Sequence, residues 1–209
     1  MIKISVVGAG YWGKNLVRNF HTLGALHSIC DTDAERLVGW GKDYPDVRCI
    51  PSYSDILKDT EIQAVAIATP AETHANLVRE ALLAGKDVYV EKPLCLTVEE
   101  GIAINQLAKQ EGRILMVGHL LWYHPAVLRL KDLIDRGDLG RIQYIYSNRL
   151  NIGKIRREEN ILWSFAPHDI SVILGLLGEM PEQVQSQGGN YLHQKIADTT
   201  VSLLSFPRG

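Results

Sequence analysis

The chain has 209 residues, of which 46 % are hydrophobic, and its formal net charge is −2 at pH 7. This length is enough for one domain with a large core, or for one domain and part of a second. The near-neutral charge does not favour a nucleic-acid partner, and no apolar run approaches the ~18 residues of a membrane span.

Over the first 118 residues, apolar runs that are typical of buried strands alternate with helical patterns. The predicted strands are Ile2–Val7, Ala25–Cys30, Ile62–Ala68, Asp87–Val90 and Ile114–Val117. A helix is predicted after Gly13, another over Ala75–Ala84, and a third from the N-cap Thr97 to about Gln110. Continuous apolar strands that alternate with helices predict a parallel sheet covered on both faces.

After residue 118 the pattern changes. Helices are predicted over Pro125–Arg136 and near Pro167–Leu177. Strand-like segments are Ile142–Leu150, Glu182–Gln187 and Thr199–Phe206. We expect a domain over residues 1–120 and a separate α+β domain over residues 121–209.

The cysteine content bears on the compartment. Cys30, Cys49 and Cys95 form an odd count at unrelated spacings. This fits a reducing compartment better than a disulfide framework, and it matches no metal motif. We therefore expect a soluble cytoplasmic protein.

The first predicted strand runs into a glycine-rich turn, GAGYWG, that opens a helix. In this context Gly8 permits the tight turn, Gly10 lets a pyrophosphate approach the backbone, and Gly13 lets helix and strand pack closely. The phosphates would meet the free N–H groups at the helix N-terminus. Tyr11 and Trp12 would cover the pyrophosphate or pack the turn. The alternative is a glycine turn without a ligand.

An acidic residue closes the next predicted strand. Asp31 follows Gly13 by 18 residues and can accept hydrogen bonds from the adenosine ribose hydroxyls. It would also repel a 2′-phosphate, which favours NAD over NADP. Arg36 nearby is the counter-argument, because an arginine there can accommodate the 2′-phosphate.

Two later strands end in residues suited to a ligand. Thr69-Pro70 and Glu91-Lys92-Pro93 would share one edge of the sheet, where open α/β sheets place their ligands. A charged pair at the end of a buried strand is costly unless it has partners or a role there. A cis peptide before Pro93 would fix the direction of Lys92. The alternative is a surface loop with an incidental lysine.

These segments together resemble a known family. GAGYWG, Asp31, ATPAETH, AGKDVYVEKPL and MVGHLLWYHPAV are similar to the Gfo/Idh/MocA family of glucose–fructose oxidoreductase and inositol dehydrogenases. The resemblance implies a Rossmann doubly wound domain followed by a domain with a mostly antiparallel sheet, which would be truncated at its C-terminus in this chain. It implies hydride transfer between NAD and a carbinol of a sugar or nucleotide sugar, in a direction left open. The sequences of these segments look most like the branch that oxidises UDP-N-acetylglucosaminuronate at C3 in surface-polysaccharide pathways.

The resemblance also implies roles for individual residues. The family's catalytic lysine falls on Lys92 and its catalytic histidine on His168, while the usual Asp four residues before the histidine is replaced by Ser164. Where the family often has an arginine after the sixth strand, this chain has Trp122.

Further residues are expected to contact the cofactor. Thr69, Pro70 and His74 would line the nicotinamide side, together with Glu91 and Lys92. His74 is equally well explained as an ordinary helix residue.

His168 can also be considered from the residues alone. A helix that begins near Pro167 places His168 in its first turn, where the helix dipole disfavours the imidazolium, although Asp169 acts in the opposite sense. A neutral imidazole is what a general base for a hydroxyl proton requires, and the alternative from the residues alone is a capping or core histidine. The basic run Lys154, Arg156 and Arg157 is a candidate clamp for a diphosphate or carboxylate, with a solvated loop as the alternative.

A second class of function fits the same fold. A non-catalytic sensor would bind NAD and regulate a partner, but it has no need of a reactive pair such as Lys92 and His168. An enzyme with a small-molecule sugar substrate is therefore favoured, as a homo-oligomer when full length.

Overall fold

The computed structural model describes residues 2–150, 160–192 and 194–207. The chain divides into two compact units, residues 1–118 and 119–209. Among the described residues, no helix has the length and apolar character that a membrane crossing needs.

The first unit is a doubly wound α/β domain, as predicted. Its strands are β1 (Ile4–Val7), β2 (Leu26–Cys30), β3 (Arg48–Ile50), β4 (Ala64–Ile67), β5 (Asp87–Val90) and β6 (Leu115–Val117). Its helices are α1 (Gly13–Thr22), α2 (Ala34–Asp43), α3 (Tyr53–Lys58), α4 (Ala71–Leu83) and α5 (Val98–Gln110). The six strands pair in parallel in the order β3-β2-β1-β4-β5-β6.

Helices cover both faces of this sheet because its central strands are apolar on both faces. On one face Val65 and Ile67 of β4 join Val78 and Leu82 of α4 in a buried cluster. On the other face Val6, Ile29 and Ala66 pack with side chains of α1 and α2. Since β4 is buried along its whole length, its sequence AVAI reads as a continuous apolar run.

Three elements of this unit are absent from the sequence prediction: α2, β3 and α3. The strand β3 has only three residues and lies at the sheet edge, so it carries no measurable periodicity. The helix α2 does have a start signal, because the Asp33 side chain accepts a hydrogen bond from the Arg36 backbone N–H. The predicted cap of α5 is confirmed, since the Thr97 hydroxyl accepts from the Glu100 N–H at 3.3 Å.

The described residues of the second unit form helices and an antiparallel strand pair. A 3-10 helix (Leu120–Tyr123) precedes α6 (Pro125–Asp135) and α7 (Ile161–Leu177). The strands β7 (Gln183–Gly189) and β8 (Thr199–Ser205) pair in a register that runs from Gln183 opposite Ser205 to Gly189 opposite Thr199.

Two predictions for this unit are wrong. Ile142–Leu150 has no regular secondary structure, because no described segment pairs with it and a strand exists only through its partners. The helix α7 begins at Ile161 rather than near Pro167, which lies inside it. The Asn160 side chain caps α7 by accepting from the Trp163 N–H at 3.0 Å. His168 is therefore not in the first turn, and the dipole argument for its neutral form does not hold.

Candidate active site

The three glycines after β1 have three different surroundings. Gly8 has φ +84°, and a Cβ there would lie 2.7 Å from the Thr69 Cγ2. A Cβ on Gly13 would lie 1.9 Å from the Gly8 carbonyl oxygen, so the start of α1 is packed against the turn. At Gly10 the nearest atom to a Cβ is the Arg36 Nη1 at 3.9 Å, which leaves open space beside the backbone.

This loop fits a dinucleotide. Gly10 borders an open depression that is also lined by Tyr11, Lys14, Arg36 and Trp40, among others. In α1, all of which is described, the first turn contains no acidic residue that would repel a phosphate. Lys14 and the helix N-terminus are suited to the charge of a pyrophosphate, whereas Arg36 is paired with two aspartates and Asp43 also lines the depression.

The two aromatic residues of the turn lie at the surface. Tyr11 is 87 % exposed, and the Lys14 Nζ lies 5.2 Å from the centre of its ring. Trp12 is exposed at the N-cap of α1. Their contact with the cofactor stays a prediction.

Asp31 lies at the end of β2 and its carboxylate is fully engaged by the protein. Its Oδ2 accepts from the Ala9 N–H at 2.8 Å and its Oδ1 from the Asp33 N–H at 3.0 Å. The Arg36 Nη1 donates to both oxygens, at 2.9 and 3.0 Å. Burial alone would raise the pKa of Asp31, but the Asp33 N–H, the Arg36 guanidinium and the Ala9 N–H together hold that pKa below its usual value. A ribose hydroxyl that binds Asp31 therefore has to share it with Arg36.

Trp40 also contacts the glycine loop, and this contact was not predicted from the sequence. Its Nε1 donates to the Ala9 carbonyl oxygen at 3.1 Å, so α2 holds the glycine turn from the side. The signal was the spacing of Arg36 and Trp40, four residues apart and hence on one helix face. It could be used only once α2 was recognised.

The second group of site residues follows β4 and β5. Because β1, β4 and β5 are parallel neighbours, Gly8, Thr69 and Lys92 emerge at the same edge of the sheet. Lys92 is half-buried, and the Lys92-Pro93 peptide bond is cis, as predicted. Glu91 is buried, and its Oε1 accepts from the Tyr89 hydroxyl at 2.9 Å.

His74 lies in the first turn of α4 and is only 1 % exposed. Its Nδ1 is 2.7 Å from the Pro93 carbonyl oxygen and its Nε2 is 2.9 Å from the Thr69 carbonyl oxygen. The contacts that the structure shows for His74 are thus to protein backbone, and its contact with the cofactor stays a prediction. Thr69 is half-buried and Pro70 is exposed.

In the second unit, His168 and Ser164 lie on one face of α7, four residues apart. His168 is half-buried and Ser164 is 2 % exposed. Asp169 is bound by two side chains, because Arg149 donates to its Oδ2 at 2.7 Å and Ser147 donates to its Oδ1 at 3.1 Å. Its charge is therefore balanced by Arg149, which weakens the predicted influence of Asp169 on His168.

Trp122 packs on the same helix. A Cβ on Gly175 would lie 2.2 Å from the Trp122 Cζ3, so the indole lies directly against the backbone of α7. Gly175 follows His168 by seven residues, which is two helical turns on the same face. The basic run Lys154, Arg156 and Arg157 lies outside the described residues.

Comparison with known families covers nearly the whole chain. Residues 2–119 match the "Oxidoreductase family, NAD-binding Rossmann fold", and residues 127–209 match the "GFO/IDH/MocA C-terminal domain". The UDP-N-acetylglucosamine 3-dehydrogenase of Acidithiobacillus ferrooxidans is 28 % identical over 90 % of this chain and 58 % of its own length. The 2,7-anhydro-N-acetylneuraminate hydratase of Escherichia coli is 27 % identical over 100 % of this chain and 60 % of its own length.

A solved structure gives the same result. UDP-N-acetylglucosamine 3-dehydrogenase GnnA from Acidithiobacillus ferrooxidans superimposes with a TM-score of 0.88 at 26 % identity, over 100 % of this chain and 64 % of that one. The chain spans about half to two thirds of the length of the curated relatives that it matches, from 46 % to 64 %. The two family matches, the strand order and the glycine loop agree, and the chain belongs to the Gfo/Idh/MocA oxidoreductase family, an NAD-binding Rossmann family.

Proposed function

We propose that the protein is an NAD-dependent dehydrogenase that acts on a carbinol of a sugar or nucleotide sugar. The observation that carries this proposal is the position of Lys92. It follows β5 at the sheet edge where Gly8 and Thr69 follow β1 and β4, the edge at which parallel α/β sheets bind ligands. A half-buried ammonium at that place is suited to stabilise negative charge on a reacting oxygen.

The proposed reaction divides between cofactor and protein. NAD, when bound, accepts the hydride from the carbinol C–H bond. Lys92 donates a hydrogen bond to the hydroxyl oxygen and stabilises the charge that develops as the O–H bond breaks. His168 takes the hydroxyl proton, so that a carbonyl compound, NADH and one proton result. The reverse sequence of steps reduces a carbonyl with the same groups.

For the substrate we propose a nucleotide sugar, oxidised at C3 of a UDP-N-acetylhexosaminuronate. The UDP-sugar and the C3 position are supported by the similarity to a protein named UDP-N-acetylglucosamine 3-dehydrogenase, in sequence and in fold, and the uronate is inferred from the sequence resemblance alone. We further propose a cytoplasmic protein that forms homo-oligomers.

The test combines a substrate screen with matched variants. NADH formation is followed with UDP-sugars and with free polyols, for the wild type, Lys92→Ala and His168→Ala. Each variant should lose about a hundred- to ten-thousand-fold in kcat, the usual contribution of a general acid–base group, while its NAD dissociation constant changes far less than its kcat. Lys58→Ala and His21→Ala change exposed residues of the same types and serve as controls.

The double variant Lys92→Ala/His168→Ala adds a test of joint action. If both groups act on one hydroxyl, the fold-loss of kcat in the double variant should be far smaller than the product of the two separate fold-losses, because groups that work as a unit are not additive. NAD binding without turnover of any sugar would refute the dehydrogenase and favour an NAD-binding sensor. One relative is named a hydratase, so consumption of each sugar is measured together with NADH formation. Sugar consumed without net NADH formation would contradict the dehydrogenase.

A further inference from the structure

His74 is a buried polar side chain in a position that packing alone does not explain. Its imidazole is 1 % exposed, within the first turn of α4. Both of its ring nitrogens lie within hydrogen-bond distance of main-chain carbonyl oxygens, Nδ1 of Pro93 and Nε2 of Thr69. Buried polar groups are costly without such partners, and an apolar residue would fill the same volume without that cost.

The two carbonyls belong to separate loops. Thr69 follows β4 and Pro93 follows β5, and these two strands are neighbours in the sheet. Carbonyl oxygens only accept hydrogen bonds, so a ring nitrogen must carry a proton to hold either one. A ring protonated on both nitrogens holds both loops, whereas a neutral ring holds the one that faces its N–H.

The loops carry different parts of the proposed chemistry. Pro93 is bonded directly to Lys92, the proposed hydrogen-bond donor to the substrate oxygen. Thr69 is predicted to line the nicotinamide side of the cofactor. A side chain that bridges their backbones therefore connects the group that acts on the substrate with the loop that faces the cofactor.

We propose that His74 is a positioning residue: with a proton on both ring nitrogens, it ties the backbone at Thr69 to the backbone at Pro93 and so fixes the spacing between the cofactor loop and Lys92. The proposal rests on the proposed function, in which Lys92 acts on the substrate. Reaction rates depend steeply on such spacing, since a misplacement of ~1 Å can cost about a hundredfold.

Two amide substitutions separate the two bonds. In His74→Asn the side-chain NH₂ takes the position of Nδ1 and can still donate to the Pro93 carbonyl. In His74→Gln the NH₂ reaches the position of Nε2 and can still donate to the Thr69 carbonyl. His74→Phe keeps the ring volume and loses both bonds.

The expected result is a crossed pattern. Because His74→Gln releases the backbone next to Lys92, its kcat should be at least about tenfold below that of His74→Asn. Because His74→Asn releases the Thr69 loop, its dissociation constant for NAD should be about three- to tenfold above that of His74→Gln, as the freed loop must be ordered again on binding. His74→Phe should show both defects. Losses of kcat and NAD affinity that run in parallel in all three variants, in proportion to their melting temperatures, would overturn the proposal.

Amide hydrogen exchange decides the question without a substrate. In His74→Gln, residues 91–96 should exchange faster than in the wild type while residues 69–73 do not, and His74→Asn should show the reverse. Equal exchange in the two variants would overturn the proposal. If the crossed exchange pattern appears and no sugar is turned over, the tie stands and the proposed function fails.

Discussion

The surroundings of the glycines predict that Gly13→Ala and Gly10→Ala fail in different ways. A Cβ on Gly13 would lie 1.9 Å from a backbone oxygen, where real contacts are not below 3.0 Å, so the turn or α1 must move by about 1 Å. Overpacking of this kind costs about 3 kcal/mol when backbone cannot rotate away, and the better helix propensity of Ala returns at most about 1 kcal/mol. At about 2–4 °C per kcal/mol, the melting temperature of Gly13→Ala should fall by roughly 4–12 °C.

Gly10→Ala places its methyl in open space, with the nearest atom at the flexible end of Arg36. Its melting temperature should therefore stay within about 2 °C of the wild type. NAD affinity should fall at least about tenfold, because the methyl takes the space in which the pyrophosphate approaches the backbone. Thermal unfolding followed by circular dichroism and calorimetric titration with NAD measure the two effects. If Gly10→Ala binds NAD like the wild type, the pyrophosphate does not lie at Gly10, and if Gly13→Ala melts like the wild type, the packing argument is wrong.

Further outcomes follow from the charges of the cofactor loop and from α7. The wild type should bind NAD more tightly than NADP. Arg36→Ala should widen that difference, because it removes the only ion-pair partner that the structure describes for the Asp31 carboxylate. Tighter NADP binding by the wild type would mean that Arg36, and not Asp31, determines the cofactor preference. Because the folded-state pKa of Asp31 is lowered, its stabilisation is present above its unfolded pKa of ~3.9 and is lost as the pH falls through the folded pKa. The melting temperatures of the wild type and Asp31→Asn should therefore differ most near neutral pH and converge below about pH 4; a gap that persists in acid would assign the effect to packing. Gly175→Ala should cost about 1–3 kcal/mol in the free energy of unfolding, and clearly less in a Trp122→Leu background, because the indole is what its methyl would meet.

The first unit could be predicted largely from the sequence because its strands are buried on both faces. Such strands appear as uninterrupted apolar runs, and β1, β4 and β5 were placed to within a few residues. The glycine loop was equally visible, since the positive φ of Gly8 and the close backbone contact at Gly13 strongly favour glycine at both positions. The helix α2 was not predicted, although Asp33 caps it and Leu37 and Trp40, three residues apart, pack in one core cluster. Gly39 and Gly41 lie within it and lower its helix propensity.

The second unit was harder to predict for two physical reasons. Proline is favoured in the first turn of a helix, so the sequence predicts that α7 begins near Pro167. The cap at Asn160 and the hydrogen bond from the Ile161 N–H to the Ala197 carbonyl oxygen fix an earlier start. Ile142–Leu150 has the composition of a strand, but a strand also needs a partner, and local sequence does not reveal whether one is present.

The contacts of His74 show a further limit of reading a sequence segment by segment. Thr69 and Pro93 are 24 residues apart along the chain, and only the order of the strands, with β4 beside β5, brings them within reach of one imidazole. The motifs ATPAETH and EKP can each be recognised alone. Taken alone, the first explains His74 as a helix residue, and the second explains Lys92 as a cation at the end of a strand. Their connection is a property of the parallel sheet, which collects the loops after neighbouring strands at one edge. A residue that joins two such loops is therefore found from the topology, and its substitution should affect both loops in the selective way that the Asn and Gln variants test.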